Sequence, residues 1–196
     1  MGAGFADDPS KRRGVSGEFL IWKCCGAAAA RGDSLADVKR IAEKVNSVTR
    51  TMGVASSPCT VPAAGKPTFV LADDEIEVGV GHHGEAGVSR EAMRPVDEIV
   101  DMLVEKVIAD LPFGGGDEVI TLINGLGATP LLELYIAQRR LQQNLAGRDI
   151  RIGRSLVGEF FTALEMAGLS ITVMRLDEEL SELISAPAET PCWTQI

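Results

Sequence analysis

Between Pro95 and Leu145 the chain changes its hydrophobic period and then changes it back, and this limits the fold more than any other feature. Apolar residues at Val96, Ile99, Val100, Leu103, Val107 and Ile108 recur at helical spacing, with Pro95 near the start. Phe113-Gly-Gly-Gly116 breaks that helix, and Glu118 to Ile123 reads as a short, continuous apolar strand. Asn124-Gly-Leu-Gly127 turns the chain, and Thr129-Pro130 supplies an N-cap followed by proline at N1 for a helix reaching about Leu145. Asp149 to Leu156 continues as a strand, Val157 to Met166 as a short helix, Leu169 to Leu176 as a strand and Asp177 to Ser185 as a last helix. Ala186 to Ile196 reads as a tail. There is no internal repeat. Such alternation after residue 54 is the pattern of an α/β layer architecture, whose ligands sit beyond the strand ends.

The first quarter reads differently. Residues 1–13 are polar and look like a linker or the remnant of something longer, so the folded domain is taken as 14–196. Gly14 to Arg31 is a mostly apolar helix. Arg31-Gly32-Asp33 spells an adhesion tripeptide, but Gly32 as a helix stop and Ser34 as the next N-cap explain it better. The second helix is expected from Ser34 to about Met52, with Leu35, Val38, Ile41, Ala42, Val45 and Val48 on one face. An α-hairpin results, followed by a strand at Val54 to Val61 and a loop from Pro62 to Pro67.

With 196 residues and 45% apolar content the chain can bury one sizeable core. A net charge of -9 argues against a nucleic-acid or anionic-membrane partner, and the single basic run, Lys11-Arg12-Arg13, reads as a solvated segment. No signal-peptide core is visible, and no apolar run approaches the ~20 residues a membrane helix needs, so a cytoplasmic location is expected. Cys24, Cys25, Cys59 and Cys192 lack metal or redox spacing, and Cys24-Cys25 reads as core.

Chemistry concentrates in Glu75-Ile-Glu-Val-Gly-Val-Gly-His-His-Gly-Glu-Ala-Gly87. Glu75 to Val80 alternates like a half-buried strand, and Gly79, Gly81, Gly84 and Gly87 leave room for a close approach. His82 and His83 are the only imidazoles. Adjacent strand residues point to opposite faces, which puts His82 with Val78 and Val80, and His83 with Gly79 and Gly81. A zinc site from the pair is disfavoured because no cysteine or third histidine is near, whereas neutral imidazole is a competent nucleophile. Gly79-Val-Gly81-His-His-Gly84 matches the dinucleotide fingerprint formally, but no helix pattern opens after it. Asn124-Gly-Leu-Gly127 could hold an anion on bare backbone donors or simply pack helix on sheet.

Several segments together resemble one family. Glu77-x-Gly-x-Gly81-x-His83-Gly-Glu85-x-Gly87 is similar to a segment of the dihydroxyacetone (glycerone) kinase substrate-binding subunit. So are Arg13-Gly-Val-Ser-Gly17 with Lys23 and Gly26-Ala-Ala, Ile123-Asn-Gly-Leu-Gly-Ala-Thr-Pro-Leu-Leu-Glu-Leu-Tyr135, Val157-Gly158 through Thr162-Ala-Leu-Glu-Met-Ala-Gly168 to Leu176-Asp177, and the ending Ala186-Pro-x-x-Thr-Pro-x-Trp193.

The resemblance implies that His83 attacks the substrate ketone and holds it as a hemiaminal, with Gly81, Gly84 and Glu85 around the bound ketose. His82 stands where the family usually has isoleucine, and Ala86 where it has proline. The family's preceding domain, with its hydroxyl-binding loop and aspartate base, has no counterpart here, so the chain resembles the second half of the subunit. The resemblance further implies no cofactor on this chain, a phosphoryl donor (ATP-Mg or a phosphorylated carrier) on a separate nucleotide-binding component, and a homodimer. A kinase component that is inactive by itself is expected, with a non-enzymatic ketose-sensing or regulatory module as the alternative. The fold expected from pattern and resemblance together is a two-layer α/β domain: a mixed sheet of about six strands, helices mainly on one face, and the N-terminal helical hairpin as a separate layer or a contact with another copy.

Overall fold

The computed structural model describes residues 12–13, 15–83, 85–191 and 193–196. Its elements in chain order are α1 (Glu18–Arg31), α2 (Leu35–Val48), β1 (Thr49–Ala55), β2 (Glu75–Val78), β3 (Ser89–Ala92), α3 (Val96–Asp110), β4 (Glu118–Gly125), α4 (Leu131–Ala146), β5 (Arg151–Gly158), β6 (Gly168–Arg175), α5 (Glu178–Ser185), β7 (Ala188–Thr190) and β8 (Trp193–Gln195). Six strands form one mixed sheet in the order β3-β2-β1-β6-β4-β5, as the sequence leads one to expect. Only β4 and β5 run parallel, joined by α4 as the crossover, and the other pairs are antiparallel.

The apolar run of β4 explains the layering. Val119 and Ile123 face a core built with Val100, Leu103, Val104 and Val107 of α3 and Leu134, Ala137, Leu141 and Leu145 of α4. Ile120 and Leu122 point the other way, into a core with Leu20 and Cys24 of α1, Ile41 and Val45 of α2, and Leu180, Leu183 and Ile184 of α5. The helices therefore do not lie mainly on one face. The hairpin forms its own layer as expected, but α5 joins it, because the side of the sheet carrying Ile120, Leu122 and Met174 also needs cover.

The hairpin's punctuation follows the sequence reading. Gly32 takes φ 91° and its N–H bonds the carbonyls of Ala28 and Ala29, and Ser34 accepts the Asp37 N–H. Cys24 is fully buried, and burial pushes its thiol up to about 12, in keeping with a core role.

Other boundaries differ. The second helix stops at Val48, because Thr49 to Ala55 pairs along its whole length with β6; sheet pairing overrides the helical period. Val157 to Met166 is not a helix: β5 runs on to Gly158, and an irregular loop follows. Thr129 does not cap α4; its hydroxyl donates to the Gly168 carbonyl and accepts the Gly168 N–H, leaving Pro130 in the cap position. The tail contains the β7–β8 hairpin. Polar β3, paired with β2 at the sheet edge, has no alternation that would mark it. Residues 1–11 of the expected linker lie outside the described residues. Arg12 is not merely solvated: it donates twice to Asp110 at the end of α3, 2.6 and 2.5 Å. No helix among the described residues is long and apolar enough to cross a membrane.

Candidate functional site

The histidine segment leaves the sheet earlier than its alternation suggests. β2 ends at Val78, Gly79 takes φ +83°, and His82 and His83 lie in a turn. Strand alternation therefore does not separate them. Their ring centroids are 3.8 Å apart at 48°, so both imidazoles share one site. His82 packs its ring against Phe161, 4.4 Å away at 75°, and the His83 side chain is 74% exposed.

Two carboxylates shape this turn. Glu77 is buried; it accepts the Gly87 N–H at 2.9 Å and an Arg90 N–H at 3.1 Å, which closes the connection from β2 to β3. Gly87 is required there, because a Cβ would overlap the Val78 carbonyl. Glu85 folds back over Gly81, where a Cβ would run into its carboxylate. One Glu85 oxygen accepts the His83 N–H at 3.0 Å and the other lies 3.5 Å from His83 Nδ1. Burial acts against the charge of Glu85, but the N–H groups of Glu85 and His83 and the nearby charge of Arg13 hold its carboxyl below the usual value. Gly84 lies outside the described residues. The helix that a dinucleotide fingerprint requires does not follow; β3 does.

The second glycine-rich turn supports the first through the side chain of Asn124, which the sequence reading took only as part of that turn. Asn124, fully buried at the end of β4, accepts the N–H groups of Phe160 (2.9 Å) and Phe161 (2.7 Å) and donates to the Phe161 carbonyl (2.9 Å). It thereby fixes the loop that carries Phe161 to the histidines. The turn from Asn124 to Gly127 packs on the loop opposite, and one of its backbone donors takes a carboxylate of the chain itself. The Gly127 N–H serves Glu159, whose carboxylate lies against Gly125, and Gly127 at φ +128° packs on the Leu164 carbonyl. Neither Phe161 nor its tie to Asn124 has a local signal, since the contacts join segments far apart in the chain. Among the described residues no cluster of His, Cys, Asp and Glu converges as a metal would need.

A turn presenting two imidazoles at the rim of a mixed α/β sheet is the candidate site, and the comparisons with known proteins place the fold that carries it. The Dak1 domain model matches residues 4–192, so the chain belongs to the Dak1 domain family. It is 44% identical, over 93% of its length, to the dihydroxyacetone-binding subunit DhaK of the PTS-dependent dihydroxyacetone kinase 1 of Listeria innocua, covering 56% of that relative. The chain thus spans about half the length of the curated relative. Among solved structures it resembles the dihydroxyacetone kinase operon co-activator DhaQ, with TM-score 0.86 and 31% identity over 93% of this chain and 57% of that one. It also resembles the dihydroxyacetone kinase of C. freundii, with TM-score 0.82 and 32% identity over 99% of this chain and 35% of that one.

Proposed function

We propose that the chain is the ketose-holding part of a dihydroxyacetone or related short-chain ketose kinase, with His83 as the covalent anchor. The observation that carries this reading is the exposed His83 ring with its Nδ1 facing the Glu85 carboxylate, which glycine at position 81 lets fold back over the turn. A proton held on Nδ1 toward Glu85 leaves Nε2 unprotonated. Nε2 then attacks the carbonyl carbon; a C–N bond forms and the carbonyl oxygen takes up a proton, giving a neutral hemiaminal once the ring proton has left to Glu85 or water. Glycerol has no carbonyl and is not captured. Gly81, Gly84 and Glu85 are assigned to ketose binding on the family resemblance.

The phosphoryl donor belongs to a separate nucleotide-binding component, as ATP-Mg or as a phosphorylated carrier, and this chain binds no cofactor. The half of the subunit missing here supplies the hydroxyl contacts and the base. Residues 1–13 link to it and 14–196 form the K-type C-terminal domain. The assembly is a cytoplasmic homodimer serving glycerol metabolism. A ketose-sensing module is the second reading, favoured by the likeness to an operon co-activator.

Intact-protein mass spectrometry at neutral pH with dihydroxyacetone, the missing half supplied, tests the anchor. The adduct should form on the wild type, survive His82→Ala and vanish with His83→Ala. An adduct retained by His83→Ala, or lost only with His82→Ala, contradicts the assignment. Capture without phosphorylation, once the nucleotide component is added, favours the sensing module.

A further inference from the structure

The two imidazoles extend a row of rings that begins far from them in sequence. Trp22 of α1 lies 5.0 Å from Phe161, Phe161 lies 4.4 Å from His82, and His82 lies 3.8 Å from His83. The two ends of the row differ in how they are held. His82 and His83 sit on an exposed turn rich in glycine. Phe161 hangs from Asn124 by three hydrogen bonds, counting that of its neighbour Phe160. Asn124 in turn reaches Ser170 (3.4 Å), which continues through Ser16 (2.8 Å) to Thr172 (3.1 Å) and Thr51 (2.8 Å), a buried polar chain across β4, β6 and β1. Both rings are half-buried: Phe160 packs against Phe19, centroids 4.9 Å apart, and Phe161 is turned toward His82. A nucleophile on a loose turn loses rate unless something restricts its ring, and misplacement by about 1 Å costs about a hundredfold.

We propose that Phe161 is a positioning residue for His83: it anchors the His82 ring to the sheet through Asn124, and His82, packed at a tilt against His83, confines the attacking imidazole to one orientation. The proposal rests on His83 being the ketose anchor. It also assigns a purpose to His82, at a position where the resembled family usually has isoleucine: an aromatic ring there extends the row by one member.

The chain contains only two histidines, so histidine-selective isotope labelling yields two ring systems and a direct view of the row by NMR. In the wild type, Phe161 should show cross-relaxation to the His82 ring, and His82 to His83. Phe161→Leu should keep the unfolding midpoint near wild type, remove the ring-current displacement of the His82 protons and broaden or shift those of His83. With the missing half supplied, it should slow adduct formation with dihydroxyacetone about tenfold to a hundredfold, the misplacement scale of a nucleophile, without moving the adduct from His83. Phe161→Tyr should restore both the shifts and the rate. His82→Ala, which breaks the row from the other side and spares Phe161, should slow capture similarly, and it keeps the test available should Phe161→Leu fail to fold. A folded Phe161→Leu or His82→Ala that captures ketose at the wild-type rate overturns the proposal while leaving His83 as anchor. A wild type that forms no adduct overturns the anchor reading and this one with it.

Discussion

The chain has two glycine-rich turns at strand ends, packed alike around their glycines but leaving different groups exposed. In each, one glycine lies under a carboxylate and one against a backbone carbonyl: Gly81 under Glu85 and Gly87 against Val78 in the first, where His83 is left exposed. In the second, Gly125 lies under Glu159 and Gly127 meets the Leu164 carbonyl, and the Asn124 amide is consumed by the loop opposite. The comparison teaches that glycine content does not mark a functional turn. What separates the two is whether polar groups are spent internally or a reactive one is left facing solvent.

Glycine replacement should separate the turns most widely. Gly127→Val places a side chain at φ +128° against a backbone carbonyl that cannot yield, and should cost about 3 kcal/mol or more in urea unfolding. Gly81→Ala displaces only the flexible end of Glu85, so stability should change by less than about 1 kcal/mol while ketose capture falls. Equal losses of stability at both positions would erase the distinction.

Asn124→Ala is the next largest. It strands the N–H groups of Phe160 and Phe161 and should destabilise the chain by about 2–3 kcal/mol, again measured by urea unfolding. In the histidine turn, Glu85→Gln should change stability by no more than about 0.5 kcal/mol, as for a partly exposed position, yet slow capture about tenfold through a poorer acceptor for the ring proton. A Glu85→Gln variant that unfolds readily but captures ketose normally would reverse the roles assigned to the two turns.

How much of this was legible before the structure depends on the range of the interactions. The helical stripe from Val96 to Ile108 and the apolar run of β4 are local patterns that bury the same way in any layered fold, and both appear where expected. The same holds for the Gly32 stop and the Ser34 cap. His83 beside Glu85 was visible as a motif, although the strand alternation used to separate it from His82 was not obeyed: Gly79 takes positive φ and ends the strand first. Misreadings cluster where a distant partner decides. Thr49 to Met52 is strand because β6 lies alongside, Thr129 serves Gly168 in place of its own helix, and Phe161 has a purpose only once Asn124 and His82 are beside it.

The smallest expected difference between the turns is electrostatic, and its sign reverses. Glu85 is held low by hydrogen bonds and nearby positive charge that outweigh its burial. Glu159, exposed as a residue but with its carboxylate tucked over Gly125, is raised by burial in spite of the Gly127 N–H. A depressed carboxyl contributes stability that is present above its ordinary value of 4.5 and lost as pH falls through the depressed value. A raised one contributes stability that is present below 4.5 and lost as pH rises through the raised value. Acidification from about pH 6 to about pH 4 should therefore tighten the Asn124 to Gly127 turn first and loosen the histidine turn only later. Both groups are partly solvated, so the effect belongs to local opening and not to global unfolding. Hydrogen exchange at the Gly127 and His83 amides, corrected for intrinsic rates, reads each turn separately. Protection should rise at Gly127 across that range and hold at His83 until pH falls below about 4.5, the unfolded carboxyl value. A Gly127 amide that loses protection on acidification would show that Glu159 holds that turn as a charged acceptor, and the two turns would then be built on the same electrostatic principle.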